Sequence, residues 1–232
     1  MKRCQDGQIE LPLRAKASWG GKRESAGRRP GRRPRVPHRS REPFAGRFPC
    51  HVTLKMRRGV PSLRSGRLIR EFERSLTSLR KQRSECRVVH YSLQKDHVHV
   101  IVEAQGREAL GRGMKALGAR LAGCIHRVFG RSGRVLGDRY HLHVLHTPRE
   151  VRNVLRYVLL NARKHARRPG PDGRPDPASS ARWFDGWRGC RRVPAAAPGT
   201  PVARARSWLL RSGWRRHGLI DPSDVPGPIS AG

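Results

Sequence analysis

Two histidines separated by one residue, His97 and His99, have the clearest potential for metal chemistry in this sequence. They lie in a stretch, 97–104, whose alternation of apolar and polar residues predicts a strand with both imidazoles on one face. Two imidazoles in this arrangement can converge on one metal ion. Histidines are also ordinary on a half-exposed strand, so the pair by itself leaves both interpretations open.

A tyrosine and an asparagine, Tyr157 and Asn161, form a second candidate pair in a segment predicted to be helical. They project from one side of that helix about 40° apart, and they lie about 130° and about 90° from the centre of its apolar stripe. Neither is therefore needed for a core. A tyrosine hydroxyl can attack phosphorus where a metal polarises the phosphate, which yields a 5′-phosphotyrosine and a free 3′-hydroxyl. The simpler interpretation is a surface tyrosine that shields a helix.

The helix that would carry this second pair has the strongest start signals in the chain. Thr147 is the expected N-cap, Pro148 occupies the first helical position, and Glu150 completes a capping box, which predicts a helix over 148–166. Its apolar positions recur at helical spacing: Val151, Val154, Leu155, Val158, Leu159 and Ala162.

Periodicity also predicts the remaining elements. Strands are expected at 48–56, 87–93, 97–104 and 139–146, and helices at 65–82 and 107–129, the second weakened by three glycines. The order βαββαβ followed by a helix is that of an α+β protein with a ferredoxin-like antiparallel sheet and an added C-terminal helix. The two crossover helices cover one face of such a sheet and leave the other available for a site.

Composition divides the chain into three parts. Residues 1–46 and 169–205 are rich in Arg, Gly, Pro and Ser and contain too few apolar residues for a core, which predicts unfolded basic segments. We therefore predict a disordered basic arm at 1–46, a folded domain at 47–168 and a Pro/Arg/Trp-rich C-terminal extension at 169–232.

The formal net charge is +34, from 51 Lys and Arg against 17 Asp and Glu. A GC-rich genome accounts for part of the arginine, but a charge this large self-repels unless a polyanion neutralises it. Nucleic acid is therefore the expected partner, bound with little sequence preference. A membrane surface is a weaker candidate, because no basic amphipathic helix with an aromatic face occurs.

The five cysteines are odd in number, widely spaced and never in a C-x-x-C pair. This pattern argues against a disulfide framework or a zinc knuckle and suits a reducing cytosol. No apolar run is long enough for a signal peptide or a transmembrane helix. We expect a cytoplasmic protein associated with the nucleoid.

Four short segments within 48–166, about half of the chain, together resemble the single-tyrosine HUH transposases. That family includes the insertion-sequence-200-like enzymes and the repeat-associated tyrosine transposases. The segments are His51-Val52-Thr53-Leu54, Asp96-His97-Val98-His99-Val100, Arg139-Tyr140-His141 and Tyr157-Val158-Leu159-Leu160-Asn161. The repeat-associated branch usually has Asn-Pro where this chain has Asn161-Ala162.

The resemblance implies a ferredoxin-like fold, a divalent metal (Mg²⁺ or Mn²⁺) and cleavage of single-stranded DNA near hairpins. The two metal-binding histidines of the family correspond to His97 and His99, its nucleophile to Tyr157, and its third metal ligand to Asn161. The 47–168 domain is thus expected to be an HUH transposase-like catalytic domain.

The function predicted in this way is that of a metal-dependent tyrosine transposase, which nicks single-stranded DNA and transfers the strand during DNA transposition and recombination. The expected partner is single-stranded DNA with hairpins, and the chain could act as a monomer or as a homodimer. Arg131, Arg134, Arg139 and Arg156 are predicted to contact the DNA. One alternative is a domesticated relative that binds hairpin DNA or structured RNA without cutting. A more distant one is an RNA-bound basic protein that resembles a ribosomal component.

Other residues compete for roles in the site. Tyr91 and Tyr140 alternate with their neighbours as sheet residues do, so packing explains them. A second H-x-H, at His141 and His143, is predicted to lie on the sheet surface or against the DNA backbone. Glu103 shares a face with the first pair and is expected to be exposed at its strand end, rather than to accept a hydrogen bond from a ligating imidazole.

The aromatic residues of the C-terminal extension have two interpretations, a small packed cluster or a surface that stacks unpaired bases. We favour packing for Trp183, Phe184 and Trp187. For Trp208 and Trp214 both interpretations stay open.

Overall fold

The computed structural model describes residues 42–82, 85–165, 175–189 and 199–224. The predicted basic arm at 1–46 lies outside this part of the chain except for its last five residues. None of the described helices combines the length and the apolar character needed to cross a bilayer.

The strands and long helices follow one another in the predicted order. They are β1 (Cys50–Lys55), α1 (Gly66–Gln82), β2 (Cys86–Leu93), β3 (His97–Ala104), α2 (Arg107–Phe129), β4 (His141–Val144) and α3 (Pro148–His165). The strands form one antiparallel sheet in the order β2-β3-β1-β4. This order confirms the α+β class and the ferredoxin-like sheet, in which two interleaved βαβ units precede the added helix.

One face of the sheet packs against α1 and α2, and we call it the helical face. The alternate side chains of β1 and β3 that point to it are apolar and at most 3% exposed: Cys50, Val52, Leu54, Val98, Val100 and Val102. α1 places Leu68, Phe72 and Leu76 on the same core at helical spacing. In this layer, every second side chain of the strands packs against helix side chains that recur about every 3.6 residues.

Gly113 and Gly118 of α2 have a packing role despite the low helix propensity of glycine. A Cβ atom at Gly113 would lie 2.3 Å from Sγ of Cys86 in β2. A larger residue would therefore push the helix away from the sheet. The close packing of helix and sheet thus compensates for the low helix propensity of glycine.

α3 begins with the predicted capping box. The backbone N–H of Glu150 donates to Thr147 Oγ1 at 3.2 Å, and the backbone N–H of Thr147 donates to Glu150 Oε2 at 3.0 Å. The helix packs on the face of the sheet opposite to α1 and α2, where its apolar stripe meets Val89 and Ile101. The added helix therefore lies over the face that the fold leaves open.

The described parts of the C-terminal extension continue this second layer. They contain a 3₁₀ helix (Ser180–Trp183), a short helix α4 (Trp208–Arg211) and a further 3₁₀ helix (Gly213–His217). Phe184, Trp187 and Trp214 join the apolar cluster of α3. This packing is the one favoured for Phe184 and Trp187, and it answers the question left open for Trp214.

The extension also covers the edge strand β2. The backbone N–H of Leu93 donates to the carbonyl of Ala178, that of Ala203 donates to the carbonyl of Val88, and that of Tyr91 donates to Ser180 Oγ. Edge strands carry unpaired backbone groups that need such partners. Composition predicts an unfolded chain for 169–205, but small and aromatic residues let its described parts pack here.

Candidate active site

The face of the sheet opposite to α1 and α2 carries a cluster of imidazoles, and we call it the histidine face. In the register of the sheet, Thr53 of β1 lies between His99 of β3 and His141 of β4, and His51 lies beside His143. Alternate residues of three adjacent strands therefore share one surface. Its members are His51, Thr53, His97, His99, His141 and His143.

His97 and His99 point to this face side by side, as the alternation of β3 predicts. Their ring centroids are 4.7 Å apart and the ring planes are nearly perpendicular, at 84°. His99 is 4% exposed, whereas the His97 side chain is 25% exposed. One imidazole is thus held inside the protein and the other stands at the edge of solvent.

Both rings are oriented through the same nitrogen. His97 Nδ1 lies 2.8 Å from Asp96 Oδ1, and this hydrogen bond lowers the pKa of the Asp96 carboxyl group. His99 Nδ1 lies 3.1 Å from His51 Nε2 and 3.1 Å from Thr53 Oγ1. A partner on one ring nitrogen is what fixes the tautomer and direction of a metal-ligating histidine.

His51 and Thr53 act on His99, and sequence reasoning assigned them no role. Burial, followed by the neighbouring His143 and His141, lowers the pKa of His51 to about 4. His51 is therefore neutral at pH 7 and can share a hydrogen bond with His99 without repelling it. The sequence could have indicated this role, because His51 and Thr53 occupy alternate positions of β1, the strand that pairs with β3 in this fold.

Tyr157 of α3 lies beside the buried imidazoles. Its ring centroid is 5.1 Å from that of His99 and 6.2 Å from that of His51, and both contacts are edge-on. The residue is partly buried. It reaches this position because the apolar stripe of the helix packs on Ile101, two residues beyond His99 on the same face of β3.

Asn161 lies one turn after Tyr157 and is completely buried. Within the described residues, neither Oδ1 nor Nδ2 of its carboxamide has a hydrogen-bond partner. The helical wheel places Asn161 outside the apolar stripe, yet the residue is as buried as the stripe itself. An unsatisfied buried polar group costs about 1–3 kcal/mol, so this carboxamide is suited to receive a ligand.

The available donors fit a divalent cation. Among the described residues, no three His, Cys, Asp or Glu side chains form a metal-binding group. The set near Tyr157 is instead two oriented imidazoles on β3 and a carboxamide on the same side of α3 as the tyrosine. Nitrogen donors combined with a carbonyl oxygen suit ions such as Mn²⁺.

The four arginines predicted to contact DNA occupy two places. Arg131 and Arg134 lie in the connection from α2 to β4, where they donate to carbonyl oxygens, and Arg139 is exposed just before β4. Leu136 in this connection forms a β-bridge with Met56, directly after β1. The end of β1 also pairs with the start of β3, where Lys55 lies opposite His97. Arg156 instead faces the C-terminal extension, with Nη1 3.8 Å from Asp224 Oδ2.

The competing residues are explained by packing. Tyr91 is buried in the core of the helical face and its hydroxyl donates to Glu73 Oε1 at 2.6 Å. Tyr140 is partly buried against the same core. His141 is exposed and His143 is partly exposed at the sheet surface.

Glu103 departs from expectation. It is 5% exposed, so the prediction of an exposed carboxylate at the strand end is wrong. It accepts hydrogen bonds from the Arg87 guanidinium and from the backbone N–H groups of Arg206 and Ser207. The cause is the C-terminal extension, which folds over this end of β3.

The chain is similar in part to solved structures of two kinds. A REP-associated tyrosine transposase bound to a REP hairpin overlaps 56% of this chain and 75% of its own, with a TM-score of 0.45 and 13% identity. A bacterial tRNA(His) guanylyltransferase (Thg1)-like protein in complex with ATP overlaps 54% of this chain and 62% of its own, with a TM-score of 0.41 and 13% identity. No protein-family model and no curated protein matches the sequence. Overlaps of this size transfer no activity.

Proposed function

We propose that the protein is a metal-dependent transposase-type endonuclease and strand transferase that acts on single-stranded DNA through a covalent bond to Tyr157. The observation that carries the proposal is the meeting of the tyrosine with the oriented histidine pair: its ring lies 5.1 Å from that of His99 on one face of the sheet. The buried carboxamide of Asn161, one helical turn away, supports the same assignment.

His97, His99 and Asn161 would hold the divalent cation. When bound, such an ion polarises the scissile phosphate and offsets the charge that develops during displacement. The chain itself orients the two imidazoles, through Asp96 for His97 and through His51 and Thr53 for His99. It also keeps water away from one side of the site, since His51 and His99 are buried beneath α3.

The proposed reaction is a displacement at phosphorus. The phenolic oxygen of Tyr157 forms a bond to phosphorus and the bond from phosphorus to the 3′-oxygen breaks. The phenolic proton passes to solvent and the leaving 3′-oxygen takes up a proton. The products are a 5′-phosphotyrosine and a free 3′-hydroxyl, and attack of a 3′-hydroxyl on the phosphotyrosine reverses the step or joins a new strand.

The test is formation of a covalent adduct. The full chain is incubated with labelled single-stranded DNA that contains hairpins, in Mn²⁺ or in chelator, and the products are separated on a denaturing gel. We expect an adduct that requires the metal and is absent in Tyr157→Phe. Tyr140→Phe is the matched control, because it removes a partly buried hydroxyl next to the sheet and should leave the adduct.

Two results would overturn this proposal. An adduct of undiminished yield in Tyr157→Phe would mean that another residue is the nucleophile. Tight binding across a broad pool of hairpins, with no adduct in any metal, would point to the alternative of a protein that binds hairpin DNA or RNA without cutting it.

A further inference from the structure

We infer that the protein has a second nucleic-acid site, a groove beside the edge strand β2 that binds the backbone of single-stranded DNA and is separate from the cluster formed by His97, His99 and Tyr157. The groove has a volume of about 660 Å³. Its lining consists of two alanines, Ala203 and Ala205, and five arginines, Arg80, Arg87, Arg204, Arg206 and Arg211. We call it the arginine groove.

The groove is built where the C-terminal extension runs along the sheet. The backbone N–H of Ala203 donates to the carbonyl of Val88 at 2.8 Å, which ties the extension to β2. After this point, alanines that are partly buried alternate with arginines that are exposed, Arg204 and Arg206. The small residues leave the groove open and the large ones reach solvent.

Two further arginines are held in place by hydrogen bonds: Arg80 by uncharged groups and Arg87 by a carboxylate. Arg80, in the last turn of α1, donates to Thr200 Oγ1 at 2.9 Å and to the carbonyl of Val202. Arg87 pairs with Glu103, whose carboxylate also accepts from two backbone N–H groups of the extension. These contacts position both guanidinium groups. The charge of Arg80 is left without an acidic partner, whereas that of Arg87 is paired with Glu103.

The lining has strong positive charge and contains no acidic side chain. In the described part of the chain, Arg204, Arg206 and Arg211 make no ion pair with a carboxylate. Burial lowers the pKa of Arg87; the charge of Glu103 opposes this change, and the nearby charge of Arg206 adds to it. Like charges gathered in one concavity repel one another unless an anion lies between them. The chemistry that fits is a chain of phosphates.

An exposed tryptophan favours a single strand of nucleic acid over free phosphate. Trp208 follows Arg206 by two residues, precedes Arg211 by three, and is 50% exposed. The guanidinium of Arg216 lies 4.8 Å from its ring centroid. Arginines that follow a backbone, together with an aromatic ring that stacks an unpaired base, are the means by which proteins bind single strands with little sequence preference.

The arginine groove is separate from the cluster formed by His97, His99 and Tyr157. Glu103, which borders the groove through Arg87, is four residues beyond His99, about 13 Å along the strand. Ile101 lies between them and is covered by the apolar cluster of α3. The groove would therefore hold a part of the strand that is separate from the phosphate at Tyr157.

The test measures binding of the full chain, in chelator, to a short labelled oligonucleotide without a hairpin, over a series of salt concentrations. The double variant Arg204→Glu/Arg211→Glu should bind at least about tenfold more weakly, and its salt slope should fall by about 1.4, since each phosphate contact to a single strand contributes about 0.7. Trp208→Ala should weaken binding by about tenfold without changing the slope, whereas Trp208→Phe should retain most of the affinity.

The matched control is Arg67→Glu/Arg70→Glu, the same change of charge on the exposed side of α1. It should reduce the affinity by less than about threefold through general electrostatics and leave the slope unchanged. Equal losses in both double variants would overturn the proposal, because the binding charge would then be diffuse. A groove variant with an unchanged slope, or a marked preference for RNA of the same length, would overturn the assignment to single-stranded DNA.

Folding and catalysis are distinguished by separate measurements. Arg204→Gln/Arg211→Gln removes the charges without adding acidic groups, so the same fall in slope in a variant with an unchanged melting temperature supports the groove. Tyr157→Phe should bind the oligonucleotide as the unchanged protein does. At saturating hairpin DNA, the groove variants should still form the Tyr157 adduct if that function is correct, so either proposal can fail without the other.

Discussion

On the helical face, β1 and β3 present side chains that are apolar and almost without solvent exposure, whereas the same two strands present His51, Thr53, His97 and His99 on the other. The register is shared, so the difference arises from side-chain type alone. The apolar side is stabilised by area removed from water, which depends little on direction. The polar side depends on hydrogen bonds of defined geometry, and α3 and the C-terminal extension must cover part of it.

The two faces should fail in different ways when they are altered. A change on the helical face should lower the stability of the whole fold and spare the chemistry of the molecules that remain folded. A change among the exposed groups of the histidine face should do the reverse.

The sharpest contrast is expected between neighbours on β3. His97→Ala should reduce adduct formation by about a thousandfold or more, because a metal ligand is lost, with little change in stability since the ring is partly exposed. Val98→Ala should lower the free energy of unfolding by roughly 1–3 kcal/mol and leave the adduct yield per folded molecule unchanged. Urea unfolding and the gel assay measure both. Loss of the same property in both variants would contradict the division into two faces.

The second prediction compares the two apolar layers. Phe72→Ala in α1 and Trp214→Ala in the C-terminal extension should each lower the free energy of unfolding by about 3–5 kcal/mol, because both side chains are fully buried. Trp214 stacks on Phe184 at 5.5 Å between ring centroids, and its Nε1–H donates to the carbonyl of Leu210. Calorimetry should show one transition for each variant. A separate early transition in Trp214→Ala would mean that the extension folds independently.

The third prediction concerns acid. Burial lowers the pKa of His90 from its ordinary 6.5 to about 4, and its contacts with Ser180 Oγ and the Phe184 ring are with uncharged groups. The unfolded chain therefore takes up a proton at a higher pH than the folded one. The contribution of the neutral His90 to the free energy of unfolding is complete above pH 6.5. It is lost as the pH falls towards 4, by about 3 kcal/mol in total.

Urea unfolding at a series of pH values measures this loss. In His90→Gln the stability should be lower at pH 7 but should fall less steeply between pH 6.5 and 4. An equally steep fall in this variant would show that other groups cause the loss of stability in acid.

The smallest effect is expected from the residue that orients His99. Thr53→Val keeps the volume but removes the hydroxyl that lies 3.1 Å from His99 Nδ1, so the Mn²⁺ concentration needed for half-maximal adduct should rise by about tenfold. Thr53→Ser keeps the hydroxyl and should stay close to the unchanged protein. A rise of the same size in both variants would indicate a packing effect instead.

Local patterns in the sequence were sufficient for the order of elements and for much of the site. The alternation of β3 predicts that His97 and His99 share a face, and the structure agrees. The capping box at Thr147 and Glu150 predicts the start of α3, and the i, i+4 spacing predicts that Tyr157 and Asn161 project from the same side. These features depend on neighbours within one or two turns or a few strand residues, so a single sequence contains the information.

Only the tertiary structure decided the features that join distant parts of the chain. The burial of Asn161 and Glu103, the orientation of His99 by His51 and Thr53, and the arginine groove all bring together groups that are tens of residues apart or more. The orientation of His99 depends on the pairing of β1 with β3. The burial of Glu103 and the arginine groove depend on how the C-terminal extension packs along β2. The composition of residues 169–205 predicts an unfolded chain because many of these residues are charged or proline. The few aromatic residues that anchor the extension are recognisable only once the surface that receives them exists.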